Sequence, residues 1–247
     1  MKRIIGSTIQ QISSIDSTNN YAAAQLLTKS LPEGFVVVAN SQNVGRGQGQ
    51  NAWESEPGKN LTFSVVLYPE FLEISKQFGL SKVISLGVLD FLLLLDVKAS
   101  VKWPNDIYLG DKKVAGILIE NSIRESKISS AIVGIGLNIN QQIFTSNAPN
   151  PVSLSQYTDK TYSLEETLNQ LCACLDDRYQ QLIQKDFGSI DNDYLTNLYR
   201  FGLWSDYSDQ EGDFEGRILG VDKIGQLEIE KRSGEIMKYQ FKEVVFK

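Results

Sequence analysis

Apolar and polar positions divide the chain into runs suited to strands and longer runs suited to helices. Phe35-Val36-Val37-Val38-Ala39 and Leu61-Thr62-Phe63-Ser64-Val65-Val66-Leu67 are mostly apolar and predict buried strands. Ala131-Ile132-Val133-Gly134-Ile135-Gly136-Leu137-Asn138-Ile139-Asn140 predicts another, and its glycines let something lie close against the backbone. Asp106–Leu109 and Lys113–Glu120, joined through Gly110-Asp111-Lys112, predict a hairpin, and residues 3–15 a short strand or hairpin. Helical patterning covers Tyr21–Lys29 with Asp16 or Ser17 as cap, Ile74–Leu95 as one or two mostly buried helices, and Asp191–Phe201. Ser163–Lys185 is a further helix, capped by Ser163 with Glu166 three residues on.

From about Leu203 the pattern changes. Short β-like runs (Gly212–Leu219, Gln226–Lys231, Glu235–Phe246) alternate with turns, which predicts a small all-β module. The fold class expected is α+β: a mixed β-sheet domain flanked by helices over 1–202, then a β domain over 203–247.

Composition narrows the chemistry. Of 247 residues, 42% are hydrophobic and 22% charged, as in a globular chain, and a net charge of −6 gives no general pull toward nucleic acid or anionic membrane. Histidine is absent, which excludes a His-based triad, a His-ligated metal and the usual near-neutral base. Cys172 and Cys174 sit one residue apart in a helical stretch and read as small core hydrophobes. Met1-Lys2-Arg3 is followed by too few apolar residues for a signal peptide, and the apolar stretch Val83–Val97 carries Asp90 and Asp96, so a cytoplasmic protein is expected.

Two stretches carry candidate chemistry. Gly45-Arg46-Gly47-Gln48-Gly49-Gln50-Asn51-Ala52-Trp53 sets glycines at alternate positions, so backbone N–H groups can turn toward one anion-binding side, with Arg46 between two of them. Its spacing matches neither G-x-x-x-x-G-K-[ST] nor G-x-G-x-x-G. Lys102 precedes Trp103-Pro104-Asn105-Asp106 at a strand end, among apolar neighbours. On these residues alone, a glycine-rich surface loop and a lysine snorkelling off an edge strand fit as well as a site.

Taken together and in order, the motifs resemble the biotin–protein ligases (biotin–[acetyl-CoA-carboxylase] ligases). The residues concerned are Ser17-Thr18-Asn19, Gln42, Gly45-Arg46-Gly47 with Trp53, Lys102-Trp103-Pro104-Asn105-Asp106, Val114-Ala115-Gly116-Ile117-Leu118-Ile119-Glu120 and Gly134-Ile135-Gly136-Leu137-Asn138. The likeness is strong over roughly 10–140 and looser over the C-terminal module, which in that family is an SH3-like barrel. With only 16 residues before Ser17, the form expected is one without the N-terminal DNA-binding domain of some members.

The resemblance implies a two-step reaction. Biotin's carboxylate attacks the α-phosphate of ATP, with Mg²⁺ carried by ATP rather than fixed by the protein, giving biotinyl-5′-AMP. A lysine of a biotin carboxyl carrier protein then takes the biotinyl group. A carboxylate is a nucleophile at neutral pH, so the first step needs positioned positive charge and no histidine. By resemblance the catalytic pair is Lys102 and Arg46. Biotin is assigned to Ser17, Thr18, Asn19, Gln42, Arg46, Gly47, Gln48, Lys102 and Gly116; ATP to Arg46, Gln48, Trp53, Lys102, Asn105 and Asn138.

One departure stands out. Many family members read G-R-G-R-x-G-R-x-W, whereas Gln48, Gly49, Gln50 and Asn51 occupy the later positions here. Adenylate retention is therefore expected to rest more on Arg46 and Lys102, with a loop at 41–52 that orders over the adenylate. The rivals are a lipoate or octanoate ligase of the same superfamily, a biotin-responsive repressor, and a non-catalytic biotin-binding relative. The glycine loop with the intact Lys102 and Arg46 favours the biotin ligase.

Overall fold

Ile9–Ile12 (β1) runs parallel to Phe35–Ala39 (β2), and Thr18–Thr28 (α1) makes the crossover between them. The computed structural model describes residues 3–49, 51–146 and 148–247. Antiparallel steps add Leu61–Leu67 (β3), Ser100–Lys102 (β4), Asp106–Leu109 (β5), Lys112–Arg124 (β6) and Lys127–Leu137 (β7). The result is a mixed seven-stranded sheet in the order β1-β2-β3-β7-β6-β5-β4.

Alternate residues of each strand face opposite sides. Val36, Phe63, Val65, Val133, Ile135 and Ile117 join the main core, formed with Phe78–Leu94 (α2). Leu154–Thr158 (α3), Leu164–Ile183 (α4) and Phe187–Thr196 (α5) follow the large sheet, and α4 and α5 pack on α2. Phe35, Val37, Val66 and Ile132 face the other side, under Ala22 of α1. Ladder register fixes what shares that second face: Thr62 pairs with Gly136 and Ser64 with Gly134. Gly136 in turn pairs with Gly116, Gly116 with Asp106, and Asp106 with Lys102. Small and polar residues thus line one face where apolar ones line the other.

The C-terminal module is a five-stranded antiparallel sheet of Trp204–Asp209 (β8), Gly212–Val221 (β9), Leu227–Lys231 (β10), Ile236–Tyr239 (β11) and Val245–Phe246 (β12), ordered β11-β10-β9-β8-β12. It docks on the large sheet where Trp103 Nε1 donates to the Gly225 carbonyl at 2.9 Å. At the other end of the chain, Ile4 N and Ile5 N both donate to Asp176 of α4, at 2.8 and 2.7 Å.

Several elements differ from the sequence reading. β6 and β7 run on into a long hairpin turning at Glu125-Ser126, both left-handed with φ of 50° and 64°. Helix α5 starts at Phe187 because Asp186 accepts from Ser189 N. The short α3, closed by a reciprocal Ser153–Gln156 capping box, and the polar strand β8 were not expected from the pattern. Ile74–Leu94 has the length and mean hydropathy (1.6) of a membrane span, yet 61% of that window is buried in the protein core.

Candidate active site

A cleft of about 490 Å³ opens on the α1 side of the large sheet. Its floor is made of the cross-strand pair Gly116–Gly136 and of Gly134. A Cβ on Gly136 would stand 2.3 Å from Trp53 Cε2, and one on Gly134 would stand 2.4 Å from Asn19 Oδ1. The groups lying close against these glycines are therefore the chain's own Trp53 and Asn19.

Trp53 reaches the floor because the glycine loop is itself a small hairpin. Trp53 N donates to Gly45 O at 2.9 Å, Gly47 N donates to Asn51 O at 2.7 Å, and Arg46 bridges to Ala52. Gln50 lies outside the described residues. Gln48 lines the cleft, and its buried Oε1 has no partner among the described residues.

One end of the cleft is a neutral hydrogen-bonding pocket. Helix α1 begins at Thr18 rather than at Tyr21, and Ser17 makes no side-chain cap. The orphan N–H of the first turn goes instead to Gln42, with Thr18 N at 2.7 Å from Gln42 Oε1. Ser64 Oγ stands 2.7 Å from Thr18 Oγ1 and 2.6 Å from Asn19 Oδ1, which ties the helix start to β3. Small polar side chains at the helix start are thereby buried: Ser17, Thr18 and Asn19 are each under 5% exposed. Ser64→Ala leaves Asn19 Oδ1 short of a buried donor and is expected to lower stability by about 1–3 kcal/mol. Urea unfolding checks this; an unchanged midpoint would show that the Ser64 bonds are energetically idle.

Arg46 stands beside this pocket, but its guanidinium is engaged. Nη2 lies 2.8 Å from Glu120 Oε1, and Nη1 lies 3.3 Å from Oε2 and 2.8 Å from Asn20 Oδ1. Glu120 Oε2 also accepts from Asn19 Nδ2 at 2.7 Å. Sequence reasoning assigned Glu120 no role, although a carboxylate closing the apolar run Val114–Glu120 was a visible signal. Glu120 is four residues along β6 from Gly116, about 13 Å at strand rise.

Lys102 occupies the opposite end. Its Nζ is 3.1 Å from Tyr108 Oη and 5.0 Å from the centre of the Phe246 ring. Among the described residues no carboxylate lies within ion-pair distance, since Asp106 is taken by Lys113 at 2.7 Å. Burial lowers the Lys102 pKa; Asp106 opposes the shift, while Lys113 and Arg200 add to it. Burial and Asp106 push the Tyr108 hydroxyl up to about 12, so it stays protonated and serves as acceptor for the ammonium. Asn105 lines the same end and donates through Nδ2 to Ile117 O at 2.6 Å.

Ser17, Thr18, Asn19, Gln42, Arg46, Gly47, Gln48, Trp53, Lys102, Asn105 and Gly116 all line this one cleft. Asn138 does not: its Nδ2 donates to Val152 O at 3.1 Å and its backbone joins Val114 and Leu154. Beside Glu120, two further contributions were not legible in the sequence. Phe241, Lys242 and Val244–Phe246 of the C-terminal module form a wall. Glu54, just past Trp53, accepts from Thr145 N and Ser146 N at 2.8 Å each and so holds the loop that leads to Pro149 on the cleft wall. Burial raises the Glu54 pKa, but the bonds from Ser146 and Thr145 outweigh it and hold the carboxyl below its ordinary value.

Among the described residues there is no group of three or more His, Cys, Asp or Glu side chains placed to hold a metal ion. The arrangement suits a ligand with a neutral polar head, an apolar body and an acidic tail, running from the Thr18–Gln42 pocket toward Lys102.

Residues 11–138 match the family model described as "Biotin/lipoate A/B protein ligase family". The "Bifunctional ligase/repressor BirA" of Bacillus subtilis (strain 168) is 30% identical over 226 residues, covering 88% of this chain and 68% of that protein. The "Biotin--[acetyl-CoA-carboxylase] ligase" of Paracoccus denitrificans is 31% identical over 219 residues, covering 86% of this chain and 90% of that one. Among solved structures, "Biotin protein ligase from Aquifex aeolicus in complex with biotin and ATP" superposes with a TM-score of 0.80 at 25% identity, covering 98% and 99% of the two chains.

Proposed function

The chain belongs to the biotin/lipoate A/B protein ligase family, and from that membership we propose that it activates biotin with ATP to biotinyl-5′-AMP and transfers the biotinyl group to a lysine of a carrier protein. It is an ATP-dependent, AMP-forming ligase acting on biotin. The observation that carries the reading is that one cleft gathers Ser17–Asn19, Gln42, Arg46–Gln48 and Lys102–Asn105 from four separated stretches.

Biotin's neutral ureido ring is assigned to the pocket of Thr18, Asn19 and Gln42, which offers donors and acceptors and no net charge. Its valeryl chain then runs from that pocket toward Lys102. In the first step a carboxylate oxygen bonds to the α-phosphorus of ATP and the bond to pyrophosphate breaks. Negative charge concentrates at that junction, where a fixed ammonium is worth most because little water competes. Lys102 needs no carboxylate to release it before it can act. Arg46 does: it reaches the acid or the phosphates only by exchanging Glu120 for the ligand. Trp53 offers its indole face to the adenine, and the hairpin Gly45–Trp53 with the Glu54-held loop keeps water from the mixed anhydride. In the second step the acceptor lysine nitrogen bonds to the acyl carbon and AMP leaves. Magnesium enters as the partner of ATP's phosphates, the acceptor is a biotin carboxyl carrier domain, and the reaction is placed in the cytoplasm.

Incubating the protein with ATP, Mg²⁺, biotin and a carrier domain is expected to raise the carrier's intact mass by one biotinyl group. Replacing biotin with lipoate is expected to give no adduct. A lipoyl adduct without a biotinyl one would reassign the substrate.

A further inference from the structure

The Lys102 ammonium has two immediate neighbours from different parts of the fold. Tyr108 belongs to β5 of the large sheet, and the ammonium meets it at the hydroxyl, 3.1 Å away, and 4.9 Å from its ring centre. Phe246 belongs to β12 of the C-terminal module, and the ammonium lies over its ring at 5.0 Å from the centre. The ring is held in turn by the T-shaped contact with Tyr207 (5.2 Å between centres) and by stacking on Tyr199 (6.3 Å). Val245 and Phe246 pair with Ser208 and Tyr207 of β8, so the ring is carried on a ladder and not on a free strand.

We propose that Phe246 is a positioning residue for Lys102: its ring faces the ammonium, aims it along the cleft, and makes the C-terminal module part of the adenylation machinery. This rests on the role given to Lys102 above. The geometry needs such a partner. A lysine has four rotatable bonds, and among the described residues this one has no carboxylate to fix it; Asp106 is bound to Lys113. Tyr108 holds the ammonium from one side only, through its hydroxyl and the ring that bears it, whereas the Phe246 face on the second side closes the remaining arc. Aromatic rings attract cations without neutralising them, so the full charge stays available to the developing phosphate charge. An aspartate at position 246 would hold Lys102 as firmly but would cancel the charge. The same contact also favours the protonated amine, against burial and the charges of Lys113 and Arg200.

The test compares Phe246→Leu, which keeps apolar bulk and removes the π face on the module side while leaving that of Tyr108, with Phe246→Trp, which restores it. Biotin-dependent ATP–pyrophosphate exchange is measured across pH, with Lys102→Ala alongside. Phe246→Leu is expected to lower kcat by about two- to thirtyfold and to move the alkaline limb of the profile down by about half a unit to one unit. The direction follows because losing the ring lowers the Lys102 pKa, so the amine deprotonates at lower pH. KM for biotin is expected to stay within about twofold, and Phe246→Trp to recover the wild-type limb. A second readout needs no catalysis: the acylation rate of Lys102 near pH 8, measured by peptide mass, is expected to rise several-fold in Phe246→Leu.

If Phe246→Leu keeps both the wild-type limb and the wild-type acylation rate, the inference is overturned. If both readouts change equally in Phe246→Trp, the ring acts through module packing and the inference is likewise wrong. If Lys102→Ala retains full exchange while the acylation rates still differ, the functional role of Lys102 fails and the positioning contact stands.

Discussion

Replacing Lys102 with alanine is expected to cut biotin-dependent ATP–pyrophosphate exchange by about 10²- to 10³-fold while leaving the fold in place. The magnitude is that of removing one preorganised donor from a developing oxyanion. The side chain stands at the cleft end with one neutral hydrogen bond and two ring contacts, and no carboxylate is left unpaired by its loss. The thermal midpoint is therefore expected to move little. Exchange within a few-fold of wild type would remove Lys102 from the chemistry.

The second large effect is expected from one methyl group. In Gly136→Ala the new Cβ falls 2.3 Å from Trp53 Cε2 and 2.5 Å from Nε1. Gly136 sits in regular strand β7, so alanine is tolerated by the backbone and the clash falls on the indole. Trp53 must leave the glycine floor, carrying the Gly45–Trp53 hairpin with it. A misplacement of about 1 Å can cost about a hundredfold, and KM for ATP is expected to rise by tenfold or more, with red-shifted tryptophan emission. Gly188→Ala is the matched control: a methyl there would meet nothing within 4 Å, and the residue sits in helix α5. There a small gain in stability, up to about 1 kcal/mol, is expected. Wild-type emission and ATP KM in Gly136→Ala would refute the packing role given to Trp53.

The strands β2 and β3 were legible to the residue because their apolar runs are buried on both faces and bounded by turns. The long β6–β7 hairpin was only half legible. Beyond Glu120 its residues (Asn121-Ser122-Ile123-Arg124) are polar or exposed, and the turn uses Glu125-Ser126, left-handed without a glycine to mark it. Strand β8, Trp-Ser-Asp-Tyr-Ser-Asp, is held by pairing with β9 and by Tyr207 alone among its buried residues, so its pattern carries almost no period.

For the site, motif order brought eleven residues to one cleft, but local pattern could not show their state. Thr18 and Asn19 are small polar residues just ahead of a helical pattern; Gln42, Ser64 and Glu120, far along the chain, make them a buried pocket. Arg46 looks free and is bound by Glu120. Phe246 closes an ordinary strand-like run, and nothing near it in sequence announces Lys102. These are tertiary facts, set by ladder register and by docking of the second sheet.

The pair of hydrogen bonds that Ile4 N and Ile5 N donate to Asp176 has a practical side. It pins the start of the described chain against α4, on the helical side of the large sheet, while the cleft opens on the opposite side. A purification tag or a fluorescent reporter spliced upstream of residue 3 would emerge behind the molecule. Such fusions should leave ligand entry and carrier access unobstructed, whereas an appendage grafted near Phe246 would shade the cleft mouth.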